Sequence, residues 1–183
     1  FGQMDDGSFE IQWVFCCDPT GRKHYKFPSP LDNNEKTETF MTEPPTTETE
    51  GAELWDPYNA IGGGPMLVVD GKDVSTDSYW RECLSSGGTA AFSRVPRTGI
   101  GITSDGQVLL IVCDGRGMLG SPGMKLTELA DTFIKHGAVK AMNLDGSSAI
   151  VGLGGELLNW PSDSGTSSAP VQRKVVSCIS FGL

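Results

Sequence analysis

KLTELADTFIKHGAVKAMNLDGSS, residues Lys125 to Ser148, decides the reading of the fold. Leu126, Leu129, Ala130, Phe133 and Ile134 recur at helical spacing, and Gly137 supplies the left-handed stop that commonly follows a last helical turn. The spacing predicts a helix over Lys125 to His136 that delivers the chain into a strand from Ala138 to Leu144. By the two-residue period of a strand, Asn143 and Asp145 share one side and Leu144 takes the other. Gly146 then lets the backbone turn or approach a ligand closely, with Ser147 and Ser148 behind it. An amide, a carboxylate and two hydroxyls at the end of an apolar strand read either as the floor of a site or as an Asx-type turn without chemistry.

Working outward, Gly99-Ile100-Gly101-Ile102-Thr103, the turn Asp105-Gly106 and Gln107-Val108-Leu109-Leu110-Ile111-Val112-Cys113 form the clearest hairpin signal in the chain. The second of these strands is nearly all apolar, which predicts a central strand covered on both faces. It exits at Asp114-Gly115-Arg116-Gly117. Upstream, Leu67 to Val69 reads as a strand and Asp70-Gly71-Lys72 as its turn. The run Gly62-Gly63-Gly64 before Pro65 is either a flexible turn or a set of amides aimed at an anion, and it has neither the GxxxxGK[ST] nor the GxGxxG spacing. A short second helix is expected over Thr76 to Ser85, with Trp80, Cys83 and Leu84 as its apolar stripe. A Gly/Ser-rich loop over Asn159 to Ala169 precedes a last strand from Arg173 to Phe181. No internal repeat is visible.

Length and composition agree with this pattern. With 183 residues, 38% of them hydrophobic and 24 of them glycine, the chain suits one loop-rich domain better than a helical bundle. The expected fold class is a single α+β domain, a mixed or antiparallel sheet packed with one or two helices. Residues 1–27 read as an N-terminal hairpin of that domain, Gly7 to Cys17 turning at Asp18-Pro19-Thr20-Gly21 into His24 to Phe27. Residues 28–54 read as an acidic, Pro/Thr/Glu-rich surface loop, and residues 55–183 as the core. The lack of an initiator Met, a secretory h-region or an apolar run long enough to cross a membrane reads as a mature or trimmed chain.

The formal net charge of -9 argues against nucleic acid as a partner. Much of it is local: Asp32, Glu35, Glu38, Glu43, Glu48, Glu50 and Glu53 stand against Lys36 alone. Those carboxylates lack any metal-ligand spacing and are expected to face solvent. The rest of the chain is near balance and can still build a basic pocket. The cysteines, Cys16, Cys17, Cys83, Cys113 and Cys178, include no Cys-x-x-Cys pair. Cys113 and Cys178 fall in apolar strands and read as small core residues.

Polar groups therefore gather at three glycine-flanked strand ends: Arg97 and Thr98; Asp114 and Arg116; Asn143, Asp145, Ser147 and Ser148. Any one carboxylate–arginine pair is readily a plain ion pair. The set as a whole converges if the strands adjoin. His24 and His136 lie outside it, which disfavours a histidine-based triad.

The ordered motifs Ala60-Ile61-Gly62-Gly63-Gly64-Pro65, Arg97-Thr98-Gly99-Ile100-Gly101, Val112-Cys113-Asp114-Gly115-Arg116, Leu126-Thr127-Glu128-Leu129-Ala130 and Asn143-Leu144-Asp145-Gly146 resemble the phosphodiester glycosidase family, over roughly Asn59 to Phe181. The family usually reads Asn-Leu-Asp-Gly-Gly-Gly-Ser-Ser, so this chain departs by two glycines after Gly146. An early Asn-Gly-x-Phe-Phe motif of the family is not found, and part of the site is expected to lie before Phe1.

The resemblance implies a hydrolase that cleaves a sugar 1-phosphodiester of the N-acetylglucosamine type, releasing the sugar from a phosphorylated glycan or envelope polymer. It also implies a secreted or cell-envelope location, as for the bacterial-type members. Carried onto this chain, it makes Asp145 the nucleophile or general base, Asp114 its partner, and Asn143 the residue that fixes a sugar hydroxyl or orients Asp145. Arg97 and Arg116 would hold phosphate through the planar guanidinium fork, with Thr98, Ser147, Ser148 and the amides of Gly63 and Gly64 as further donors. Glu128 recurs in the family, although in a first helical turn dipole stabilisation explains a glutamate equally well. No cofactor is required by this chemistry, while a divalent cation between Asp114 and Asp145 has adequate hard ligands. The competing reading is a non-catalytic glycan- or anion-binding envelope module; a scaffold without ligand is the least economical.

Overall fold

In chain order the strands and helices are β1 (Gly2–Gln3), β2 (Phe9–Glu10), β3 (Trp13–Phe15), β4 (His24–Phe27), β5 (Glu53–Trp55), β6 (Asn59–Ala60), β7 (Met66–Val69), β8 (Lys72–Asp73), α1 (Ser75–Glu82), β9 (Arg97–Thr103), β10 (Val108–Cys113), α2 (Leu126–Lys135), β11 (Ala138–Asn143), β12 (Gly152–Leu153) and β13 (Glu156–Leu157). This computed structural model describes residues 1–32, 34–82, 92–144, 152–154, 156–162, 170, 174 and 178–180. Among them, the main sheet has five antiparallel strands in the order β10-β9-β11-β7-β8. Three smaller sheets, β2-β1-β6, β3-β4-β5 and β12-β13, accompany it. The result is a single α+β domain.

Two apolar clusters account for the arrangement. Leu126, Leu129, Ala130 and Phe133 of α2 recur on one stripe and bury against Leu67, Val68, Ala138 and Ala141 of the sheet and Tyr79 of α1. Met66, Ile100, Ile102 and Met142 form a second cluster with Ile11, joined by Phe9, Trp13 and Val108. In β9 the alternation sorts Ile100 and Ile102 into this second cluster while Gly99 and Gly101 meet α2. A Cβ on Gly99 would lie 2.6 Å from the Phe133 ring, and one on Gly101 2.7 Å from it. Those two glycines are the seat of Phe133, which is fully buried and worth about 2–3 kcal/mol on area grounds.

Local signals read from sequence recur at the expected places. Asp70 (φ 50°) and Gly71 (φ 71°) both take positive φ in the two-residue turn between β7 and β8. Gly137 (φ 85°) ends α2 with His136 as its C-cap. The opening hairpin forms with Trp13 opposite Phe27 and Phe15 opposite Tyr25. Its first arm is not one strand from Gly7 to Cys17 but two pieces, broken where Ile11 turns inward to the second cluster.

Other expectations need correction. β10 lies at an edge of the main sheet among the described residues, and Leu110 is 48% exposed, so its apolar run does not mark a strand covered on both faces. α1 buries Ser75, Ser78 and Tyr79 and leaves Trp80 43% exposed, so the stripe is displaced from Trp80; Cys83 and Leu84 lie outside the described residues. Cys178 is exposed, not in the core, and Cys113 is half-buried in β10. Residues 28–52 carry no strand or helix among the described positions, yet they are not a free loop. Asp32 is 2% exposed, accepts the Thr39 hydroxyl at 2.6 Å and sits 3.5 Å from Arg81, while Asn34 donates to the Trp80 carbonyl at 3.0 Å. The last strand, Arg173 to Phe181, falls largely outside the described residues. Among the described residues no helix is long and apolar enough to cross a membrane.

Candidate active site

β11 ends on Asn143, opposite Gly99 of β9, and the next residue continues the contact: Leu144 N–H donates to the Thr98 carbonyl at 2.8 Å. On the other side of the strand end lies the glycine loop. Asn143 N–H donates to the Pro65 carbonyl at 3.0 Å, and Gly64 N–H donates to the Asn143 carbonyl at 2.7 Å. A Cβ on Gly63 would stand 2.7 Å from that same carbonyl and 2.5 Å from the Met142 methyl, so only glycine lets the loop close down here.

The Asn143 side chain is buried, at 7% exposure. Its Nδ2 donates to the Gly64 carbonyl at 3.0 Å and to the Leu144 carbonyl at 2.6 Å. These two acceptors fix the amide's orientation, since the reversed group would face oxygen with oxygen. Its Oδ1 is buried and has no hydrogen-bond partner. A buried acceptor left unpaired costs about 1–3 kcal/mol, and a held carboxamide with a spare oxygen is suited to accept from a ligand hydroxyl or amide N–H. Gly63, Gly64 and Asn143, distant in sequence, are thus one hydrogen-bonded unit.

Arg97 lies two residues along β9 from Gly99, about 7 Å by strand rise, and faces Cys113 of β10. Its Nε donates to the Met124 carbonyl at 3.1 Å and one terminal nitrogen to the Ser93 carbonyl at 3.3 Å. Burial pushes its guanidinium pKa down from the ordinary value, with the nearby Tyr79 and Cys113 opposing. Burial pushes the Cys113 thiol up, with a hydrogen bond to Ser121 opposing, the charges of Asp114 and Glu128 adding to the rise and Arg97 working against it. Thr98 offers its carbonyl to Leu144, as above.

Asp114 follows β10. Its Oδ1 accepts from Asn159 Nδ2 at 2.8 Å, and both carboxylate oxygens lie 3.0 Å from the Trp160 N–H. Its carbonyl accepts from the Ser121 hydroxyl at 2.6 Å. Arg116 is exposed, takes a positive φ of 56°, and donates to the Ser162 carbonyl at 2.5 Å. Asp114 and Arg116 together tie the segment 159–162 to the exit of β10, a linkage across some 45 residues that no local pattern signals. Glu128, in the first turn of α2, accepts the Lys125 N–H at 2.9 Å and is paired with Arg94. The bond to Lys125 holds its carboxyl below the usual range, and Arg94 adds to the effect. That is a helix cap, and it accounts for the glutamate without a ligand.

Asp145, Ser147 and Ser148 lie outside the described residues; β11 leads directly to them. Among the described residues no group of three or more His, Cys, Asp or Glu side chains is placed to hold a metal. Sequence reasoning missed the cleft beside the glycine loop. It has a volume of about 710 Å³, and its lining runs from Arg22, Lys23 and His24 to Gly62, Gly63 and Met142. The signal available was the basic triplet after the Asp18–Gly21 turn.

The sequence pattern of the phosphodiester glycosidase family matches residues 20–181. The chain is 31% identical over 143 residues to the human N-acetylglucosamine-1-phosphodiester alpha-N-acetylglucosaminidase, covering 73% of this chain and 27% of that protein. It is 32% identical over 124 residues to the bovine protein of the same name, covering 64% of this chain and 23% of that one. It therefore spans about a quarter of the length of these curated relatives. Among solved structures, the zebrafish N-acetylglucosamine-1-phosphodiester alpha-N-acetylglucosaminidase catalytic domain, auto-inhibited by its pro-peptide, superposes with a TM-score of 0.53 at 27% identity, covering 63% of this chain and 39% of that one.

Proposed function

From a chain that belongs to the phosphodiester glycosidase family, we propose a hydrolase that cleaves a sugar 1-phosphodiester of the N-acetylglucosamine-1-phosphodiester kind, freeing the sugar from a phosphorylated glycan or envelope polymer. The observation that carries the reading is the Asn143 carboxamide, buried at the end of β11, with both N–H donors committed and its oxygen spare. A carboxamide held in that way has its oxygen left to accept one hydrogen bond from a hydroxyl or acetamido N–H.

The chemistry demanded by such a substrate fits the groups at these strand ends. The group that departs from the sugar is a phosphomonoester, already a weak base, so a strong general acid is less needed than in an ordinary glycosidase. The larger tasks are holding the phosphate and stabilising positive charge at the sugar ring. Asp145 takes the role of nucleophile or general base, with Asp114 as a second carboxylate. Asn143 fixes the sugar. Arg97 contributes a fixed, buried charge; Gly63, Gly64, Thr98, Arg116, Ser147 and Ser148 surround the phosphate. Glu128 serves the helix cap rather than the substrate. Secretion or a place in the cell envelope goes with this reading.

A second reading has one observation in its favour. The Asp114 carboxylate already accepts from Asn159 and Trp160, which suits a structural tie in a non-catalytic glycan-binding module. The two part on turnover. Full-length protein incubated with an N-acetylglucosamine 1-phosphodiester should release free sugar and a phosphomonoester in equal amounts; saturable binding with neither product would favour the module.

A further inference from the structure

We propose that Glu82 is a positioning residue for the site at the end of β11: its carboxylate braces the foot of the glycine loop and thereby fixes where the Asn143 carboxamide stands. What the site binds rests on the function proposed above; the brace itself does not.

Glu82 is the last residue of α1 and is half-buried. One of its oxygens, Oε1, accepts two bonds from other parts of the chain. The Trp13 indole N–H, on β3, donates to it at 2.9 Å, and the Met66 backbone N–H, at the start of β7, donates at 3.1 Å. Three consecutive residues then carry the connection onward. Met66 is held by Glu82, the Pro65 carbonyl accepts the Asn143 N–H at 3.0 Å, and Gly64 exchanges bonds of 2.7 and 3.0 Å with Asn143. The path from the Glu82 carboxylate to the Asn143 side chain thus crosses only hydrogen bonds and a short piece of backbone, whose planar peptides pass a displacement on rather than absorb it.

Strand pairing shows why a side chain is useful at Met66. β7 and β11 run in register through Lys140–Val69 and Ala141–Val68, and the register then shifts so that Met142 faces Met66, with Leu67 passed over. A bulge of this kind disrupts the ladder locally and re-aims the groups beside it. It falls on the residues that leave the glycine loop, and Glu82 pins an N–H at that irregular point. Its charge strengthens the hold, since a carboxylate accepting an N–H makes a bond roughly twice as strong as a neutral acceptor does. Seating of α1 has other support: Ser75, Ser78 and Tyr79 are buried, and Tyr79 packs into the cluster around α2. A tie between α1 and the hairpin would need the Trp13 bond alone; the Met66 bond acts on the loop.

Amide NMR spectra of the full-length protein read the brace without turnover. Glu82→Leu removes the acceptor at similar bulk, and the Gly64 backbone and Asn143 side-chain amide signals should move away from their wild-type positions. Glu82→Gln keeps an acceptor and should return both signals close to wild type. Arg81→Ala disturbs the same helix end through its pairs with Asp32 and Asp77 and should leave both signals in place. Should Glu82→Leu fail to fold, Glu82→Asp, one methylene short of Met66, carries the test with the same expected movement. Unmoved signals in the acceptor-removing variant, an equal displacement in Glu82→Gln, or an equal displacement in Arg81→Ala would each overturn the proposal. On an N-acetylglucosamine 1-phosphodiester, Glu82→Leu should lower kcat/KM at least tenfold and Glu82→Gln should restore it to within threefold; an unchanged kcat/KM in Glu82→Leu would also overturn it. Absent turnover by wild type would count against the proposed activity and leave the spectra to decide the brace.

Discussion

Asn143 and Gly64 exchange two hydrogen bonds: the Gly64 N–H donates to the Asn143 carbonyl at 2.7 Å, and the Asn143 carboxamide donates to the Gly64 carbonyl at 3.0 Å. This reciprocal pair clamps the glycine loop to the end of β11. It converts two sequence motifs 79 residues apart into one rigid corner.

Asn143→Asp should break that corner. A carboxylate there would face the Gly64 and Leu144 carbonyl oxygens with no donor to offer, so the variant should lose about 2–3 kcal/mol of stability at neutral pH, the cost of an unpaired buried polar group. Urea denaturation checks this. A midpoint equal to wild type would show that the carboxamide is not held as described.

Gly63→Ala and Gly62→Ala should differ sharply although the positions are adjacent. The new Cβ at 63 would fall 2.7 Å from a backbone oxygen that cannot move cheaply, whereas at 62 nothing lies within 4 Å. Thermal melts should show a loss of about 1–3 kcal/mol for Gly63→Ala, the usual range for overpacking, and a change under about 0.5 kcal/mol for Gly62→Ala.

The seat of Phe133 predicts a coupled pair. Gly99→Ala drives a methyl into the ring and should cost about 1–3 kcal/mol, while Phe133→Leu alone opens a gap. In the double variant the methyl partly fills that gap. The two losses should therefore be less than additive by at least about 0.5 kcal/mol, whereas strict additivity would place Phe133 elsewhere.

Two glutamates should give opposite pH profiles. Glu82 accepts from Trp13 Nε1 at 2.9 Å and from the Met66 N–H at 3.1 Å, yet burial outweighs both bonds and pushes its carboxyl above the ordinary 4.5. Between 4.5 and the raised value the folded state holds more protons than the unfolded, so stability falls as pH rises through that window. Glu82→Gln keeps an acceptor and should be more stable than wild type at pH 7 to 8, with the gap closing toward pH 4. Glu128 is depressed below 4.5 by its bond to the Lys125 N–H and by Arg94, so its contribution is present above 4.5 and lost as pH falls. Glu128→Gln should be less stable at neutral pH and converge with wild type in acid. Chemical denaturation at four pH values reads both signs.

What could be read from the chain beforehand follows a physical line. The α2 stripe, the Gly137 stop, the Asp70-Gly71 turn and the β9–β10 hairpin are written in neighbouring residues, because periodicity and turn chemistry act over a few positions. The edge position of β10 among the described residues was not readable, since an apolar run reports tolerance of burial and not which neighbour supplies it. Asp32 was misplaced for the complementary reason: acidic composition suggested solvent, and the Arg81 that compensates it lies 49 residues on. Within the candidate site, Asn143 and the glycine loop were recognisable as types but not as partners. Arg97 and Arg116 were read as phosphate ligands; that each also donates to a backbone carbonyl distant in sequence was not legible, because only the folded chain brings those carbonyls near.

The most direct test of the proposed activity compares full-length protein with its Asp145→Ala variant on an N-acetylglucosamine 1-phosphodiester, following free sugar against time. The parent should release sugar, and the variant should be slower by about 10²–10⁴, the usual weight of a positioned acid–base group. Equal rates in the two would contradict the assignment of Asp145, and no release by the parent would contradict the activity on this substrate.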